Sequence, residues 1–230
     1  MLLNLLNEYV KEIRELRSPT LPVCIFLAGT LSFVAYKDKH LYSLIQPELQ
    51  TAAQYLHLGA DCLYTFLSLF ALPCILLVII GEHPKNYGLS FGRARLALPI
   101  FVVLLAGLTL LGLVVANMSS FKHLVSPSPR SIAGWVSLFI ACTVYMWGWE
   151  FITRGFLLLG LKRFVGVYAV YIQLIPSVIL HLGKPSFELY GSIVFGLFFG
   201  FYAYLVDSFI YCALSHAYFA FVITVFVSLA

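Results

Sequence analysis

WGWEFITRGFLLLGL, residues 147–161, closes an apolar run that begins at Ser131 and carries only two charges, Glu150 and Arg154. The run does not alternate with period two and is too long for a strand, so it reads as a helix. A bilayer core about 30 Å thick needs about 20 apolar residues per helical span, and this run exceeds that. Further apolar runs lie at 21–36, 62–81, 96–118, 164–182, 187–206 and 208–230. In hydrocarbon only a helix or a closed barrel satisfies its own backbone polar groups, and runs this continuous favour helices. The expected fold class is all-α: a polytopic transmembrane helix bundle of about seven spans.

Composition points the same way. The chain is 61% hydrophobic and 10% charged, with a mean hydropathy of +0.95. An ordinary soluble domain is about half apolar and about a quarter charged, so a soluble fold of this length is excluded. The net charge of +4 suits anionic lipid neighbours, and nothing suggests nucleic acid. There is no internal repeat and no low-complexity tract, so residues 21–230 read as one transmembrane domain. The connection 37–61 is polar enough to lie outside the membrane. HPKNYG within 82–95 reads as a turn from its Pro, Asn and Gly, and SPSPR (126–130) as another.

Residues 1–20 read differently. In MLLNLLNEYVKEIRELR the apolar Leu2, Leu3, Leu6, Tyr9, Val10, Ile13 and Leu16 recur at helical spacing, opposite Glu8, Lys11, Glu12, Arg14 and Glu15. A signal peptide would show a basic start and an unbroken apolar stretch, so an amphipathic interfacial helix ended by Ser18-Pro19 is expected, or a plain lead-in to the first span. Lys and Arg number 8 on the N-terminal side of the expected topology and 5 on the other, which favours a cytoplasmic N-terminus. Five cysteines, Cys24, Cys62, Cys74, Cys142 and Cys212, lie in or beside apolar runs without a CxxC pair, as small buried hydrophobes do.

Ionisable groups within a membrane are costly and mark function by default. Four stand out: Glu150 and Arg154 in the fourth run, His181 near the end of the fifth, and His216 in the seventh. Glu150 and Arg154 are four residues apart, on one helix face and within reach of each other. A buried structural ion pair is the plain alternative for them, and an interhelical hydrogen bond is the plain alternative for each histidine. At about 1.5 Å per residue, Glu150 and His216 come to similar depths. His181 joins them only if the fifth helix starts near Val167 or Val170, or tilts. Ser192, Gly196 and Gly200 form a small-xxx-small face on the sixth run, expected to draw the fifth and seventh runs together around it.

WGWEFITRGFLLLGL, with His181 in SVILHLGKP and His216 in LSHAYFAF, resembles the CAAX-protease and bacteriocin-processing family of intramembrane proteases (the Abi, or type II CAAX prenyl-endopeptidase, family) over residues 89–230. Its first motif is EExxxR, its second a His preceded by an aromatic four residues earlier, and its third HxxxN. Glu150, Arg154, His181 and His216 match. Trp149 stands at the first Glu, Ser177 at the aromatic and Ala220 at the Asn. A related subgroup is similar in its WEF and HxGKP pattern with a following Glu, which draws in Glu188 as a second carboxylate.

The resemblance implies hydrolysis of a peptide bond in a membrane-associated protein or peptide, without metal or other cofactor, in the plasma membrane of a bacterial cell. Glu150, or else Glu188, is then the expected general base. His181 and His216 would hold the water and stabilise the oxyanion, with Arg154 orienting Glu150. Two rivals stay open. Trp149 and Ala220, in place of the motif's Glu and Asn, suggest an inactive pseudoprotease that binds a membrane partner. Two histidines on separate helices also suit haem ligation and electron transfer.

Overall fold

The computed structural model describes residues 21–39, 41–44, 46–47, 59–118 and 129–229, and the regular structure among them is entirely helical. The expected amphipathic segment 1–20 lies outside the described residues. Seven helices follow the apolar runs: α1 Leu21–Lys37, α2 Ala60–Ile79, α3 Ala94–Ala116, α4 Ile132–Val165, α5 Tyr168–Ile179, α6 Ser186–Val206 and α7 Ile210–Leu229. Five of them, α2, α3, α4, α6 and α7, are long and apolar enough to cross a membrane, whereas α1 and α5 are shorter apolar helices. Their outward faces carry residues such as Val78, Ile79, Val103 and Leu110, which suit hydrocarbon better than water.

The helix ends follow from local chemistry. The Ser131 hydroxyl accepts from the Gly134 N–H and caps α4. Gly166, at φ 57°, breaks the chain between α4 and α5. The HPKNYG turn folds as a 3₁₀ turn over Pro84–Tyr87 and stops at Gly88 in the left-handed region. The α6–α7 connection turns on Asp207, at φ 57°, whose carboxylate meets Arg93 at 3.1 Å and also pairs with Lys162. Arg163 pairs with Glu82 at 2.7 Å. Tyr87 packs beside that pair, and burial pushes its hydroxyl well above the usual tyrosine range. Lys162, Arg163 and Arg93 therefore gather at one end of the bundle.

α4 is the core element. From Phe151 to Leu159 it widens into a π-helix in which every residue is buried. Tyr87 seats against it where Gly155 and Gly160 leave room, since a Cβ on Gly160 would meet the Tyr87 ring at 2.5 Å. Phe70, Phe151, Phe156, Phe209 and Trp147 interlock edge to face around the same segment.

The small-residue face of α6 packs as expected on one side only. A Cβ on Gly196 would meet Leu174 at 2.5 Å, and one on Gly200 would meet Gln173 at 2.8 Å, both on α5. α7 packs instead on α4 and α3. The glycines thus join α5 to α6, and α4 brings in α7. Of the cysteines, only Cys212 is fully buried, Cys24 is exposed, and all five are free thiols.

Candidate active site

Glu150 is the last α-helical residue before the π-helical stretch of α4, and its side chain is wholly buried. A carboxylate there must be compensated from within the protein. Arg154 supplies the first compensation, its guanidinium lying 3.3 Å from Oε2 and 3.4 Å from Oε1. The same guanidinium nitrogen donates to Thr153 Oγ1 at 2.8 Å. His216 on α7 supplies the second, with Nδ1 2.7 Å from Glu150 Oε1. A carboxylate accepts, so Nδ1 carries the proton and the neutral ring keeps a lone pair on Nε2.

His181 lies in the turn after α5, and its Nδ1 is 2.7 Å from the Ser177 carbonyl. That carbonyl also only accepts, so here too Nε2 is left as the acceptor in the neutral ring. The Ser177 backbone thus does locally what no side chain at that position is needed for. α5 begins at Tyr168 rather than at residue 164, which removes the depth mismatch that separated His181 from the others.

A cavity of about 200 Å³ brings these groups together between α4, α5, α6, α7 and α3. Glu150, Arg154, His181, Glu188 and His216 all line it, as do Trp149, Ser177 and Ala220. Every candidate site residue named from the sequence therefore lines one space. Its far wall is apolar, with Leu108, Val115, Phe195, Phe219 and Ile223. Glu188 is engaged by Lys184 at 3.1 Å, in the first turn of α6.

Three further features were missed by reading the sequence. Lys184 lines the cavity and stands 5.7 Å from the Trp149 ring centroid; its place three residues after His181 was the available signal. Ser192 lines the cavity as well as belonging to the small-residue face. Trp149 packs 5.7 Å from the His181 ring, and its buried indole N–H has no partner. Glu150 Oε2, Arg154 Nε, Gln173 Oε1 and Ser215 Oγ are buried without a hydrogen bond too. Such groups are normally satisfied by ordered water.

The arrangement can polarise a water molecule. A carboxylate backs one imidazole, and a second imidazole offers its own lone pair. No group of three or more His, Cys, Asp or Glu side chains suited to a metal ion occurs among the described residues. No family model matches the chain, and neither a curated protein nor a solved structure matches it.

Proposed function

We propose that this chain is a multi-pass membrane hydrolase that cleaves a peptide bond of a membrane-associated protein or peptide, with His216 as the general base and Glu150 as its orienting carboxylate. The observation that carries the proposal is the 2.7 Å contact between His216 Nδ1 and a fully buried Glu150. Glu150 itself is wholly buried and its carboxylate is already engaged by Arg154 and by His216. His216 is the better base: the carboxylate fixes its tautomer and stabilises the imidazolium that forms, as in an Asp–His pair. His216 Nε2 takes a proton from water while the water oxygen bonds to the scissile carbonyl carbon. Collapse of the tetrahedral intermediate breaks the C–N bond, and the same proton passes to the leaving nitrogen. His181 Nε2 positions the water.

A quenched peptide anchored in proteoliposomes tests this. The wild-type protein cleaves it and His181→Ala does so at least about a hundredfold more slowly; equal rates in the two proteins count against the reading.

A second reading is a pseudoprotease, favoured by Trp149 and Ala220 standing at the cavity where the resemblance expects Glu and Asn. It predicts no cleavage by the native chain and a gain on combining Trp149→Glu with Ala220→Asn. The hydrolase reading predicts the reverse, cleavage by the native chain.

A further inference from the structure

A second cavity, of about 410 Å³, lies outside the candidate active site. It is formed where α1 ends and α2 begins, against the middle of α4, and is lined by four tyrosines (Tyr36, Tyr42, Tyr64 and Tyr145), two carboxylates (Asp38 and Asp61) and two lysines (Lys37 and Lys39) among others. Its size falls within the range of ligand pockets, about 300–1,000 Å³. Four phenol rings around one space are unusual, and none of them takes part in the chemistry above.

The rings are held in place. Tyr36 and Tyr64 stack at 6.1 Å, and Tyr42 meets Tyr64 edge to face at 4.8 Å. The Tyr36 and Tyr145 hydroxyls are 3.3 Å apart, and the Tyr64 hydroxyl donates to the Ala35 carbonyl. Tyr42 donates to Asp61 Oδ1 at 2.6 Å, leaving the other carboxylate oxygen without a partner among the described residues. Faces of aromatic rings with a carboxylate beside them attract an organic cation, above all an alkylammonium. At the rim, Lys37 and Lys39 are exposed and pair with no carboxylate among the described residues. They suit an anion. A ligand that satisfies both halves carries an ammonium and an anionic group a short distance apart.

α1 indicates what the rest of that ligand is. Val23, Phe26, Leu27, Leu31 and Val34 recur at helical spacing and are each at least half exposed. This apolar stripe runs along α1 and ends one turn before Lys37, at the cavity rim. Hydrocarbon tails laid on the stripe bring their headgroup to the tyrosines. We propose that the cavity binds the headgroup of a zwitterionic phospholipid, with its alkylammonium against the tyrosine faces and Asp61, its phosphate against Lys37 and Lys39, and its acyl chains along α1. Asp61 and the ring faces disfavour a headgroup with negative charge alone.

The test is native mass spectrometry of the full-length protein in detergent, titrated with phosphatidylcholine, with phosphatidylglycerol of the same acyl chains, and with free phosphocholine. Phosphatidylcholine is retained about tenfold better than phosphatidylglycerol, the scale of one desolvated cation–π contact, and free phosphocholine is lost. Tyr42→Ala removes that preference, and Tyr42→Phe, which keeps the ring, retains most of it. Asp61→Asn lowers phosphatidylcholine retention as well, which covers the case in which Tyr42→Ala does not fold. Equal retention of the two lipids overturns the proposal. So does retention of free phosphocholine as strong as that of the lipid, or unchanged preference in folded Tyr42→Ala or Asp61→Asn protein.

Discussion

His216 Nδ1 donates to Glu150 Oε1 across 2.7 Å, tying the middle of α7 to the point where α4 turns from an α-helix into a π-helix. The contact joins two positions 66 residues apart in the chain. It turns a buried ion pair with Arg154 into a three-membered network whose imidazole lines the cavity with Nε2 not used by Glu150. A network of purely structural charges has no need of that nitrogen. A general base does.

Removing either end of the buried pair costs more than it does at a surface. Arg154→Met leaves Glu150 with only His216 to offset its charge. Loss of one member of a buried pair costs about 3–5 kcal/mol. Combined with Glu150→Gln, the same change costs less than the sum of the two single changes. Thermal unfolding of the four proteins in one detergent measures the coupling, and strict additivity would mean that the pair does not act as one unit.

The α5–α6 contact depends on the absence of side chains at two positions. Gly200→Ala places a methyl 2.8 Å from Gln173 and 2.9 Å from Val170, and Gly196→Ala places one 2.5 Å from Leu174. Each lowers stability by about 1–3 kcal/mol through overpacking. At Gly191 an added Cβ meets nothing within 4 Å. Gly191→Ala therefore leaves the unfolding temperature unchanged or slightly raised, and a fall as large as at Gly200 would refute the packing account.

Much of this was legible from the sequence. Apolar runs locate the helices α1 to α7, five of them long enough to cross a membrane, because hydrocarbon forces each run to satisfy its own backbone. The four in-run charges lead to the cavity, because a charge inside such a bundle needs a partner. Two things were not legible. The role of Glu150 depends on which atom His216 reaches, and no spacing within α4 encodes a contact with α7. The tyrosine cavity combines three separate stretches, around Tyr36, Asp61 and Tyr145, each of which is ordinary by itself. The assignment of the small-residue face to both neighbours failed because such a face takes only one helix at close range, and α5 occupies it.

Tyr42 offers a check on the second cavity that needs no ligand. Its hydrogen bond to Asp61, with burial and the nearby carboxylate adding to it, pushes its hydroxyl up to about 12. A raised value means the protonated phenol is favoured in the folded protein. The stabilisation is therefore complete below the ordinary tyrosine value near 10 and is lost as pH rises toward 12. Difference absorbance of wild type against Tyr42→Phe shows no tyrosinate from Tyr42 at pH 10.5, whereas Asp61→Asn exposes it. Ionisation of Tyr42 near pH 10 in the wild type would contradict the contact.

The most direct measurement is cleavage of a membrane-anchored peptide in proteoliposomes by Glu150→Gln, His216→Gln and the double variant, each shown to be folded by its unfolding temperature. Residues acting as one unit are not additive. Each single change lowers kcat/KM by about 10²–10⁴, and the double variant is no slower than the slower single one. Losses that multiply, or a His216→Gln protein that cleaves as fast as wild type, would contradict a Glu150–His216 unit as the source of the activity.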